Sequence, residues 1–174
     1  VGTAYDTVFS DLAAGYDLSL AYNVGDITVT VNAGFESEYD GGGAPPVWTD
    51  PVNWTGDVLP LIGDDVLIDG FAATHSTLTN DVHSLSLENA AVLTVSGGNL
   101  RINGLSRVEQ GAQIDLTAGT LTLDDRLVND GVFNFTGGTL NGVSGLRNLA
   151  TFTSSGGPKV FDIDVENEGV MNLQ

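Results

Sequence analysis

The chain has 174 residues, 41% of them hydrophobic, and carries 23 Asp plus Glu against 5 Lys plus Arg, a net charge of −18. That hydrophobic share excludes a disordered chain, and so few cations exclude the basic footprint needed for nucleic acid or an anionic membrane surface. There is no cysteine, hence no disulfide, and no run of about 18 apolar residues that could insert in a membrane as a helix.

An acidic surface suits a protein kept soluble in salt, or one that meets divalent cations. The absence of cysteine matches the habit of proteins exported across a bacterial envelope. The chain opens at Val1 without a basic segment or an apolar leader, which predicts a removed signal peptide or an excerpt of a longer polypeptide.

Residues 1–35 are read as an N-terminal β-hairpin-like unit. Its centre is LSLAYNVGDITVTV, residues 18–31, two alternating strands around Val24-Gly25-Asp26. Residues 36–47, ESEYDGGGAPPV, are a Gly/Pro-rich connector and the expected boundary. Residues 48–174 are read as a cap followed by a parallel β-solenoid. Both tryptophans, Trp48 and Trp54, stand just ahead of Val66-Leu67-Ile68, the first strand expected in the stack. Large aromatics there predict a cap that shields the first coil from water. Their competing use is an exposed platform for sugar rings.

From Leu93 the chain repeats itself: LTVSGGNLRI from Leu93, IDLTAGTLTL from Ile114, FNFTGGTLNG from Phe133, FTSSGGPKVF from Phe152, and MNLQ from Met171. The intervals are 21, 19, 19 and 19 residues. Within each line the residues alternate as in a strand, and a small pair follows: Gly97-Gly98, Ala118-Gly119, Gly137-Gly138, Gly156-Gly157. Glycine at a recurring corner supplies the left-handed backbone that other residues adopt only at a cost. A coil this short cannot bury its apolar face alone, but stacked at about 4.8 Å it pairs every amide with the next coil. The predicted fold class is therefore all-β, a right-handed parallel β-helix (solenoid) with coils of 19–21 residues behind a small N-terminal unit or cap.

An amide recurs at the same intervals: Asn89, Gln110, Asn129, Asn148 and Asn167. Stacked at an inward turn, each could donate to its neighbour and so satisfy polar groups that burial would otherwise penalise. We read the five as a structural ladder in preference to a sugar grip.

Catalytic signals are sparse. The doublets Asp64-Asp65 and Asp124-Asp125 would point to opposite strand faces, which disfavours an acid/base pair within either. Arg126 and Arg147 are 21 residues apart in 19-residue coils and fall out of register. His75 and His83, the only histidines, lack cysteine or serine partners and read as loop or strand-surface residues. Candidate weak calcium ligands are Asp64, Asp65, Asp69, Asp162 and Asp164, with Glu166 and Glu168 continuing the last alternation, yet no EF-hand loop or RTX nonapeptide is present. No other cofactor is expected.

The W-x5-W-x5-P-x3-DDVxI pattern from Trp48, followed by glycine-rich repeats, resembles the opening of solenoid regions in large bacterial surface proteins. These include autotransporter passengers, filamentous-haemagglutinin-like adhesins and proteins with autotransporter-associated β-strand repeats. The stretch from Phe9 to Val31 is similar to the tail of a preceding unit in such arrays. The resemblance implies an exported, surface-exposed, modular protein. The expected function is a structural or adhesive rod, not an enzyme, whose partners are copies of itself or neighbouring modules. Its C-terminal edge would meet further coils or dock another copy. Carbohydrate binding through Trp48 and Trp54 is the runner-up, and a polysaccharide lyase or hydrolase comes third.

Overall fold

A computed structural model describes residues 16–23 and 26–174. The backbone of Tyr16–Asn23 pairs antiparallel with that of Asp26–Ala33, placing Leu18 opposite Val31. Phe9 and the Val24-Gly25 step of the expected turn lie outside the described residues. From Ser37 onward the named strands pair in parallel, and the chain winds into a β-solenoid of about five turns.

Each turn feeds three columns of strands. The first column is one sheet: Ser37–Tyr39, Asp65–Asp69, Ser84–Glu88, Ser106–Val108, Leu127–Asn129, Leu146–Asn148 and Val165–Asn167. The second runs from Ala72–His75 to Val170–Leu173, and the third from Thr79–Val82 to Lys159–Asp162. In the middle of the stack, Val92–Ile102 and Gln113–Leu123 carry both of the latter columns around the glycine corner without a break.

The register is the one the repeat predicts. Leu93 lies beside Ile114, Ile114 beside Phe133, Phe133 beside Phe152, and Phe152 beside Met171. Parallel pairing at a constant register sets like above like, so Leu93, Ile114, Phe133 and Phe152 form one fully buried row. Phe133 and Phe152 stack with centroids 5.3 Å apart. Removing each such side chain from water contributes about 1.5–3 kcal/mol.

Two features begin earlier than the repeat suggests. Ala73 continues the buried row beside Leu93. Its coil lacks the glycine pair because Leu78 takes the left-handed corner, with φ at +68°. The Gly/Pro-rich stretch 36–47 likewise holds a strand, since Ser37–Tyr39 pairs with Val66–Ile68 and starts the first column. Three residues are too few to display a period.

Candidate functional site

The N-terminal end of the stack is closed by residues 47–62. Asp50 accepts from the Val52 amide at 3.2 Å and Pro51 opens a 3-10 turn, so the chain doubles back over the first coil. Asn53, fully buried, clamps this loop: its Nδ2 donates to Val47 O at 2.9 Å, and its Oδ1 accepts from Gly43 N at 2.8 Å. Asn53 is a residue that sequence reasoning missed, although the Asp50-Pro51 start of a turn just before it was visible.

Trp48 and Trp54 are both wholly buried, edge to face with centroids 4.8 Å apart. Trp54 Nε1 donates to Trp48 O at 2.7 Å. The Tyr39 ring meets Trp54 at 5.1 Å, and the His75 ring lies 5.9 Å from Trp48. Both indoles therefore occupy the cap, and neither offers a face to a sugar. His75 is also not a surface residue. It is fully buried, with Nδ1 at 3.0 Å from Gly97 O and Nε2 at 3.0 Å from Asn80 Oδ1.

Tyr39 gives the cap a pH dependence. Burial first, then the charges of Asp50 and Asp40, push its phenol up to about 12 from 10.0. An unfolded chain ionises this phenol two units earlier, so stability holds below pH 10.0 and falls as the pH climbs toward about 12. The loss is at most roughly 3 kcal/mol. The Tyr39 hydroxyl is buried without a partner. Tyr39→Phe should therefore gain about 1 kcal/mol near neutrality and flatten the alkaline decline. Urea unfolding of both proteins across that range checks this, and an unchanged alkaline decline in the variant would refute it.

The amide ladder has three members, not five. Asn129 Nδ2 donates to Asn148 Oδ1 at 2.7 Å, and Asn148 Nδ2 to Asn167 Oδ1 at 2.6 Å. Each also reaches a carbonyl of the following coil, Thr151 O at 3.0 Å and Val170 O at 3.1 Å. The residues in register before Asn129 are Val108 and Leu87. Gln110 and Asn89 sit two positions further on, in turns lengthened by two residues, and both are exposed. Asn89 Nδ2 instead donates to Asp69 Oδ1 at 2.7 Å. Counting back from the following strand hid that insertion. With Val108 next to it, Asn129 Oδ1 is left buried without a donor.

Asn148, in the middle, makes both ladder bonds. Asn148→Leu should cost about 2–4 kcal/mol, because polar atoms of Asn129 and Asn167 lose their partner. Gln110→Ala, on the surface, should stay within about 0.5 kcal/mol. Denaturant titration separates the two, and equal effects would reject the ladder.

The acidic residues do not converge. Asp64 Oδ2 accepts from Ser37 Oγ at 2.8 Å and Leu61 N at 2.9 Å. Asp65 Oδ1 takes His83 Nδ1 at 2.7 Å and also the Ser84 hydroxyl. This places histidine, aspartate and serine together, but the hydroxyl is on the carboxylate and not on the imidazole, unlike a nucleophilic triad. Asp69 holds Asn89, and Asp162 and Asp164 are exposed on the last coil. Among the described residues no three His, Cys, Asp or Glu side chains gather as a metal-holding group.

Arg126 and Arg147, although out of register, line one open pocket of about 200 Å³ with Ser144, Asp164 and Glu166. Arg147 is engaged there by Glu168 at 2.7 Å and lies 3.9 Å from Glu166. The Glu168 hydrogen bond, and then its charge, raise the Arg147 pKa above the ordinary value.

No family model, curated protein or solved structure matches this chain. Strand pairing alone assigns the architecture. The chain is a parallel β-solenoid. Among the described residues no helix is long and apolar enough to cross a membrane.

Proposed function

We propose that this chain is a structural or adhesive module of an extracellular bacterial surface or fibre-forming protein, acting as a stiff β-solenoid rod. The observation that carries the reading is the unbroken backbone ladder of seven strands from Ser37–Tyr39 to Val165–Asn167. Such a column resists bending because each coil is bonded to the next at every turn. The glycan-platform reading has lost its aromatic surface to the cap. Catalysis has less support, since among the described residues no three His, Cys, Asp or Glu side chains gather, and Asp64, Asp65 and Asp69 each hold separate donors within the protein.

Stiffness can be measured directly. Leu67 and Glu166 face outward from the first and last complete coils of one column, five strand spacings apart in register. The chain has no cysteine, so Leu67→Cys with Glu166→Cys would carry two spin labels at defined positions. The expected result is one narrow distance distribution centred near 24 Å between the backbones. A broad or multiple distribution would reject the rod.

A further inference from the structure

Acid outnumbers base by 23 to 5 in this chain, so an arginine without a carboxylate beside it calls for a reason. Arg101, Arg107 and Arg147 each have one within ion-pair distance. Arg126 has none among the described residues, although it lines the open pocket of about 200 Å³ together with Asp164 and Glu166. The backbone shows how that pocket is made. Arg126, Gly145 and Asp164 stand one place before the paired positions Leu127, Leu146 and Val165 on three consecutive coils. The outer two are therefore roughly 10 Å apart, two strand spacings, along one wall of the solenoid. The middle position has to stay free of a side chain. Gly145 takes a φ of +100°, and a Cβ there would lie 2.7 Å from Asp164 O. The adjoining strand, Leu146–Asn148, is bonded on both edges, so the hollow belongs to the side wall.

The two sides of the hollow differ in chemistry. On one, the Arg126 guanidinium offers a fork of N–H donors that matches a carboxylate. Arg147 is already held by Glu168, which leaves Arg126 as the free cationic donor. On the other side stand acceptors. They are the carboxylates of Asp164 and Glu166, and Ser144 Oγ, whose own proton goes to Asp124 O at 2.9 Å. A plain anion entering here would meet Asp164 and Glu166, and a plain cation would meet Arg126. A ligand that carries both charges satisfies both sides.

We propose that this hollow binds a small zwitterion of the α-amino-acid kind, with its carboxylate on Arg126 and its ammonium toward Asp164, Glu166 and Ser144 Oγ. The volume is below the roughly 300–1,000 Å³ typical of sites for drug-sized ligands, which suits a molecule of that size. A longer peptide carries its terminal charges too far apart to place both here. The inference goes beyond the rod reading and does not depend on it. Binding is read at one side wall and stiffness from the distance between two labels, so each can fail alone.

The test titrates L-alanine into isotopically labelled protein and follows it by NMR. The Gly145 and Leu146 amides and the Arg126 Nε–H should shift along one saturable curve in the millimolar range. Alaninamide lacks the carboxylate and N-acetylalanine lacks the ammonium, and each should bind about tenfold more weakly or worse. Arg126→Gln should bring a similar loss. Arg126 is exposed and makes no ion pair among the described residues, so the variant should keep its fold, which unchanged signals elsewhere would verify. Lys159→Gln removes the same charge outside the pocket and should leave the alanine curve as it was. The proposal is overturned if alanine moves none of these signals, or if either blocked form binds as well as alanine. It is also overturned if Arg126→Gln binds as well as the native chain, or no worse than Lys159→Gln.

Discussion

Gly138→Ala should destabilise the protein by about 3–5 kcal/mol, far more than the added methyl group would suggest. Gly138 takes a left-handed φ of +87°, and a Cβ there would fall 2.6 Å from Gly119 O and 2.8 Å from Ala118 C. Both atoms are backbone of the preceding coil. That coil has no room to retreat, because a Cβ on Gly119 would itself lie 2.6 Å from Gly97 C. The corner is a column of glycines packed backbone to backbone. Gly111 isolates the conformational part of the effect: its φ is +89°, but nothing lies within 4 Å of a Cβ built there. Gly111→Ala should cost only about 1–2 kcal/mol. Denaturation midpoints of the two variants decide the matter, and equal losses would mean that backbone strain, not coil stacking, governs the corner.

Trp54→Ala should cost about 3–5 kcal/mol and loosen the first coil. The substitution removes a fully buried indole, takes away the donor to Trp48 O, and leaves the Tyr39 ring with only its longer edge contact, to Phe71. Trp48→Phe should be milder, about 1–2 kcal/mol, because Trp48 Nε1 is already buried without an acceptor. Tryptophan fluorescence checks the premise independently. Two indoles sealed in the cap should emit at short wavelength and resist quenching by iodide. Ready quenching, or a spectral change on adding sugars, would return the pair to the surface.

Much of the stack was legible because a β-solenoid writes its geometry into one dimension. Parallel coils bond equivalent positions, so the intervals between Leu93, Ile114, Phe133, Phe152 and Met171 are also the strand register. The glycine pairs were legible for the same reason, since a corner repeated in space is mostly repeated in sequence, with Leu78 the exception in the coil before them. The ladder was half legible. Its interval is real from Asn129 to Asn167, but the same interval carried the count on to Gln110 and Asn89, where two extra turn residues move the amide from inside to outside.

Composition, period and alternation thus determined that this chain stacks parallel coils around an apolar interior and which residues line most of it. Tertiary structure alone decided what happens where the period stops. It buried Trp48, Trp54 and His75 beneath a doubled-back loop and used Ser37–Tyr39 as a first strand. It also tied Asp64, Asp65 and Asp69 to separate donors. The physical reason is that a repeat reports contacts between equivalent positions. A cap is made of contacts between unlike residues that occur once, and those leave no period to read.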